Sequence, residues 1–132
     1  MANFSNTLEG QVLNHFFRNT PTTAPTTHFM ALFLNNPTDA GTGTEVSGTG
    51  YVRQPITFGA PAQIDGKGTI KNSAEVEFPQ AGSNWGTVTH GAIYTASTGG
   101  TMLVWAPLNN PKIIETDDIL KVLVDEFVVT LD

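Results

Sequence analysis

From Tyr51 onward, glycine and proline punctuate the chain at short intervals, and brief segments of alternating apolar and polar residues lie between them. Such segments, spaced about 8–12 residues apart, read as half-buried strands joined by turns, the pattern of a sandwich or barrel. In residues 51–58, YVRQPITF, Pro55 lacks the N–H that a central ladder requires, which assigns this segment to an edge or a bulge. Residues 59–68 read as turn, and residues 69–78 alternate through Ala74, Val76 and Phe78. After another turn, GTVTHGAIYT leads to Gly99-Gly100, the hairpin turn into TMLVWAPL. A short strand KIIET follows, and the last strand is expected over residues 119–131. No helices are interleaved, so a parallel βαβ arrangement is excluded. The expected fold is all-β, an antiparallel, jelly-roll-like β-sandwich with one short N-terminal helix, forming a single domain over residues 1–132.

That helix is expected over residues 4–18. Asn6 followed by Glu9 resembles a capping box, and Leu8, Val12 and Phe16 form one row widened by Leu13 and Phe17. Gly10 weakens the helix by about 1 kcal/mol relative to alanine, and Asn19 with Pro21 ends it. A helix this short is marginal alone, so its aromatic face must dock on its own domain or on a partner. Residues 20–27, TPTTAPTT, form an extended linker. The nearly unbroken apolar run at 28–35, HFMALFLN, reads as a strand buried on both faces. Residues 36–50 are glycine-rich and lack a core pattern. Loops of that length in compact domains tend to be functional, so this one, with Thr44, Glu45 and Val46, is a candidate contact surface.

Composition excludes several functions. Charged residues make up 14% of the chain, against about 25% in typical soluble domains, and hydroxyls and amides fill the difference. Neighbours can meet over such a surface with few charges to desolvate. The net charge is −6, and the six lysines and arginines are scattered singly, so no cation cluster exists to neutralise phosphates or anionic lipid. Neither nucleic acid nor membrane is an expected partner. Cysteine is absent, which removes disulfides and thiolate chemistry. The first residues carry no basic, apolar signal pattern, and no apolar run approaches the length of a membrane span.

Catalytic signatures are weak. His90 shares a strand face with Val88 and Tyr94, and its neighbourhood offers threonines and glycine where a catalytic histidine needs a carboxylate and a nucleophile. His15 and His28 lack metal-ligand spacing. Gly66-Lys67 departs from the phosphate-loop pattern, because six residues separate Gly59 from Gly66 and Gly68 follows the lysine. The acidic pairs Asp117-Asp118 and Asp125-Glu126 would point to opposite faces of a strand, unlike carboxylates paired across a cleft. No catalytic residue, cofactor or metal is expected. Of the two tryptophans, Trp105 alternates with Leu103 and is expected in the core, whereas Trp85, at a turn, is the candidate for a subunit contact.

Three motifs in this order, DAGTGTEVSGTGYVRQ, NWGTVTH and GGTMLVWAPL, together with the N-terminal LEGQVLNHFFRNT and the ending FVVTLD, carry a resemblance. The chain resembles, nearly end to end, the short phage virion proteins labelled tail-fibre proteins. Their usual pattern places a small-residue turn before the last strand; here ILKVLVDEFVVTLD is richer in aliphatics. The resemblance implies a non-enzymatic structural component of a phage particle, either of tail-fibre type or a capsid decoration or cement component. It also implies other phage structural proteins as partners, a homo-oligomer with a trimer favoured, and synthesis in the host cytoplasm before incorporation into the virion. Its subunit contacts are expected at Leu8, Val12, Phe16 and Phe17 of the helix, at Thr44, Glu45 and Val46, and at Trp85. The alternative is a carbohydrate-binding, host-recognition module at a tail tip, whose aromatic platform would come from Tyr51, Trp85 and Tyr94.

Overall fold

A computed structural model describes residues 2–132. In chain order the elements are β1 (Asn3–Phe4), α1 (Asn6–Phe17), β2 (His28–Phe33), β3 (Gln54–Ile56), β4 (Ala62–Ile64), β5 (Lys67–Lys71), β6 (Val76–Glu77), β7 (Gly86–Tyr94), β8 (Met102–Ile114), β9 (Lys121–Val122) and β10 (Val128–Leu131). The strands form a five-stranded sheet in the order β1-β8-β7-β2-β3, a three-stranded sheet β10-β5-β4 and a ribbon β6-β9. All of these pairings are antiparallel. The fold is all-β and sandwich-like, with one short N-terminal helix.

The main core lies on one face of the large sheet. Met30, Leu32, Val88, Ile93 and Val104 from that sheet join Val76, Phe78, Val122, Phe127 and Val129 from the smaller ones in one buried cluster. Because side chains alternate across a strand, the residues between them point the other way. Ala31, Phe33, Ala92, Tyr94 and Met102 form a second buried cluster on the reverse face. The continuous apolar run at 28–33 thus has its physical cause: β2 is covered on both sides. Pro55 sits on β3, the edge strand, opposite Phe29 of β2, where its missing N–H leaves no central ladder bond unmade.

Several elements differ from the sequence expectation. The helix begins later, because residues 3–4 pair with Trp105 and Val104 of β8 as a strand. The N-cap is Ser5 rather than Asn6: its Oγ accepts a hydrogen bond from the Leu8 N–H at 3.1 Å. Residues 62–64, expected as turn, pair with β5 as a hairpin. Asp65 and Gly66 between them both have positive φ, 52° and 77°, the geometry that an Asp-Gly hairpin turn favours. The expected strand at 69–78 breaks into β5 and β6, and the expected strand at 119–131 breaks into β9 and β10. One buried side chain underlies both breaks. Asn72 Nδ2 donates to the carbonyls of Ala74 and Leu123, and its Oδ1 accepts from the Phe127 N–H. These bonds pin a turn at 123–126, in which Asp125 has φ 70°. Finally, TMLVWAPL and KIIET are one strand, β8. Between the pairs His90–Pro107 and Val88–Lys112 the register shifts, and residues 108–111 bulge out.

Candidate assembly surface

The loop at 36–50 is not a free surface. Its two ends are laced to β2: the Leu34 N–H donates to the Thr44 carbonyl, and the Val46 N–H donates to the Leu32 carbonyl. Asn35 Oδ1 accepts from the Thr44 N–H at 2.8 Å. Val46 is buried, and of the three residues expected to make contacts there, only Thr44 is exposed.

Glu45 turns inward, where it anchors a buried clamp. Arg53 Nε donates to Glu45 Oε2 at 2.9 Å and Arg53 Nη2 to Oε1 at 2.8 Å, a bidentate pair. Arg53 Nη1 donates to the carbonyls of Ala96 and Gly99 at 2.9 and 2.7 Å, so a single guanidinium ties the loop to the β7–β8 turn. Its Cζ lies 3.8 Å from the centroid of the Tyr94 ring, a cation–π contact. The Tyr51 hydroxyl donates to Glu45 Oε2 at 2.6 Å and accepts from the Leu32 N–H at 3.0 Å. The bond to Glu45 raises the Arg53 pKa further above its ordinary value. Burial, reinforced by the Glu45 bond, pushes the Tyr51 hydroxyl well above the tyrosine range, and burial raises Tyr94 as well. Sequence reasoning missed this clamp, yet one signal was available. Tyr51 and Arg53 fall on the same face of an alternating segment, and an inward cation requires a carboxylate nearby.

The two tryptophans exchange their expected places. Trp85 is 4% exposed and packs in the main core edge-on to Tyr51, and its indole N–H donates to the Thr49 carbonyl at 2.9 Å. Gly48 lies against the indole ring so closely that a Cβ there would collide with Trp85 Cδ1. Gly48 serves this close packing, and Trp85 has almost no surface to offer a partner subunit. Trp105, expected in the core, is half-buried on the reverse face, where its N–H donates to Asp39 Oδ1 at 2.8 Å and its ring lies 5.8 Å from His90. His90 Nδ1 is 2.8 Å from the Thr89 hydroxyl, and burial lowers its pKa. Burial also removes Tyr51, Trp85 and Tyr94 as an exposed aromatic platform: Tyr94 is 9% exposed, and the Tyr51 hydroxyl is spent in the clamp.

The two most exposed large apolar side chains, Phe16 and Phe17, lie on α1, while Val52, Ile64, Ile113, Ile119, Leu123, Val124 and Leu131 are exposed elsewhere. None of the residues of α1 is buried. Leu8 packs partly against the core and Val12 is half-buried, but Leu13, Phe16 and Phe17 are 57%, 73% and 79% exposed. Leu13, Phe16 and Phe17, three and four positions apart, lie next to one another on the helix surface. Asn19, in the left-handed region at φ 52°, ends the helix, and the exposed linker follows. Between α1 and the end of β10 runs a groove of about 370 Å³ walled by Phe4, Val12, Leu13 and Leu131, with Glu9 and Asp132 also lining it.

A structural role fits this distribution of features, with the polar chemistry spent on internal fastening and the apolar surface turned outward. Comparison with protein families agrees: the family model of the podophage GP4 fiber I protein gp80 matches residues 3–130. The chain belongs to that family. It is therefore a phage structural protein of tail-fibre type, associated with other virion components. No curated protein matches it.

Proposed function

We propose that this fibre protein is a non-enzymatic building block that works through subunit contacts in a symmetric particle, as a homo-oligomer with three copies favoured. The observation that carries the reading is the exposed aromatic end of α1, where Phe16 and Phe17 project beside Leu13. Burying a fully exposed phenylalanine contributes about 1.5–3 kcal/mol, and repetition by symmetry adds such contacts across an assembly. The chain is made in the host cytoplasm and carried in the virion. Gold-labelled antibody against the protein tests this on intact particles: labelling at fibres supports it, and unlabelled particles refute it.

A sugar-binding role at the fibre is the second reading, and Trp105 favours it. Trp105 is half-exposed beside an acidic side chain, Asp39, in the arrangement that stacks and hydrogen-bonds a sugar ring. Binding of the purified protein to a glycan array, lost on Trp105→Ala, would support this role, and an array without signal removes it.

A further inference from the structure

The same molecule carries a projecting aromatic end and, beside the first half of the same helix, a groove with apolar and acidic walls. We propose that the two fit each other between copies: Phe16 and Phe17 of one copy enter the α1/β10 groove of the next, in a head-to-tail contact. This rests on the reading of the chain as a homo-oligomeric fibre subunit.

Size, polarity and charge all match. The groove volume of about 370 Å³ falls within the range of about 300–1,000 Å³ that admits small organic groups, so phenyl rings fit. Phe4, Val12, Leu13 and Leu131 give it apolar walls, and Leu13 and Leu131 are themselves 57% and 56% exposed without a partner. Two carboxylates, Glu9 and Asp132, line the same groove. The residue that directly follows Phe17 is Arg18, an exposed cation whose Nη1 donates to Asn14 Oδ1. Two copies at net −6 repel each other over most of their surfaces. Arg53 is spent in the buried clamp and Lys121 lies 3.8 Å from Glu75, which leaves Arg18, Lys67, Lys71 and Lys112 outside any ion pair among the described residues. Arg18 is the one joined to the exposed aromatic pair. Seating Phe16 and Phe17 in the groove carries it toward Glu9 and Asp132, so that the charge contact sets the register and the rings supply the buried area. Knob and groove meet at Leu13 on one helix, and in the proposed contact each copy gives its knob to one neighbour and its groove to another. Their contact is therefore heterologous and closes into a ring of three or more, or extends as a filament.

The test is the mass of the purified full chain in solution, measured by light scattering on a sizing column, with circular dichroism confirming the fold of every variant. Wild type is expected as an assembly of three or more copies. The knob variant Phe16→Ser/Phe17→Ser and the groove variant Leu131→Asp change exposed positions, and each alone is expected to be monomeric. Mixed together, they are expected to form a 1:1 dimer that grows no further, since one intact knob meets one intact groove and the remaining ends are inactive. Arg18→Glu is expected to disassemble the protein, and Arg18→Glu combined with Glu9→Arg to restore most of the mass. A wild-type assembly unaffected by the knob and groove changes overturns this contact but leaves the oligomeric reading standing. A wild-type dimer overturns the head-to-tail geometry, because twofold pairing then uses the helix differently. A wild type that stays monomeric at every concentration overturns the oligomeric reading itself.

Discussion

Arg53→Met tests whether the buried clamp fastens the fold. Methionine keeps much of the apolar stem over Tyr94 but removes the two bonds to Glu45, the two to the carbonyls of Ala96 and Gly99, and the cation over the ring. Breaking a buried ion pair by deleting one partner costs about 3–5 kcal/mol, chiefly because a charge is left without its counter-ion. Here the Glu45 side chain is 26% exposed against 8% for Arg53, so the abandoned carboxylate regains some water and the lower end applies, about 3 kcal/mol. Unfolding entropy near about 2.1 cal/mol/K per residue over 132 residues gives about 0.28 kcal/mol/K, so the melting temperature should fall by about 11 °C. Arg53→Met/Glu45→Gln removes both charges, and its loss should fall short of the sum of the two single losses by at least about 1.5 kcal/mol, the coupling that a double-mutant cycle reads. Calorimetry measures the melting temperature, and amide exchange at residues 96–99 should accelerate in the single variant as the turn loses its anchor. A single variant that melts within about 2 °C of wild type, or a double variant whose loss is the sum of both singles, refutes the clamp.

Other outcomes follow from the same packing. Gly48→Ala forces a methyl into the Trp85 ring and should cost about 1–3 kcal/mol in a urea unfolding curve, with a shift in Trp85 fluorescence. Asn72→Ala strands the Ala74 and Leu123 carbonyls and the Phe127 N–H, and should cost about 2–4 kcal/mol while loosening the turn at 123–126 in amide exchange. Both tyrosines of the chain hold their protons above the ordinary range when folded, so above pH ~10 the folded state binds more protons than the unfolded one. Their contribution to stability is therefore full below pH ~10 and is lost as pH rises further, and the phenolate absorbance band should appear only as the protein unfolds. Phenolate absorbance rising near pH ~10 with native circular dichroism contradicts that burial.

Local pattern made the class of fold legible. Glycine and proline spacing marked β3, β7 and the start of β8 but hid β4 inside an expected turn, the edge position of Pro55 followed from its missing N–H, and the nearly unbroken run at 28–35 announced a strand covered on both faces. What stayed hidden depends on long-range contacts. Asn72 is polar and would pass for a loop residue, yet by binding carbonyl and amide groups up to 55 positions away it cuts two apparent strands into four. The loop at 36–50 looked free because its glycines carry no apolar pattern, yet the small size of Gly48 is what lets the backbone close over Trp85. The tryptophans changed places for related reasons: alternation gives the period of a strand but not which face of the sheet is covered, and the reverse face under Trp105 is only partly closed. The helix face was legible from its spacing, and Phe16 and Phe17 lie exposed where a partner would find them. The inward pair of Glu45 and Arg53 required knowing that residues 45 and 53 fold back on each other, which no local window contains.

The central claim is that the aromatic end of α1 is a surface between copies in the particle. The most direct measurement is a cryo-electron microscopy map of the intact virion at a resolution that places side chains. The account predicts copies of this chain arranged by symmetry in a fibre, with Phe16 and Phe17 enclosed by a neighbouring copy. Copies whose Phe16 and Phe17 face open solvent would contradict it.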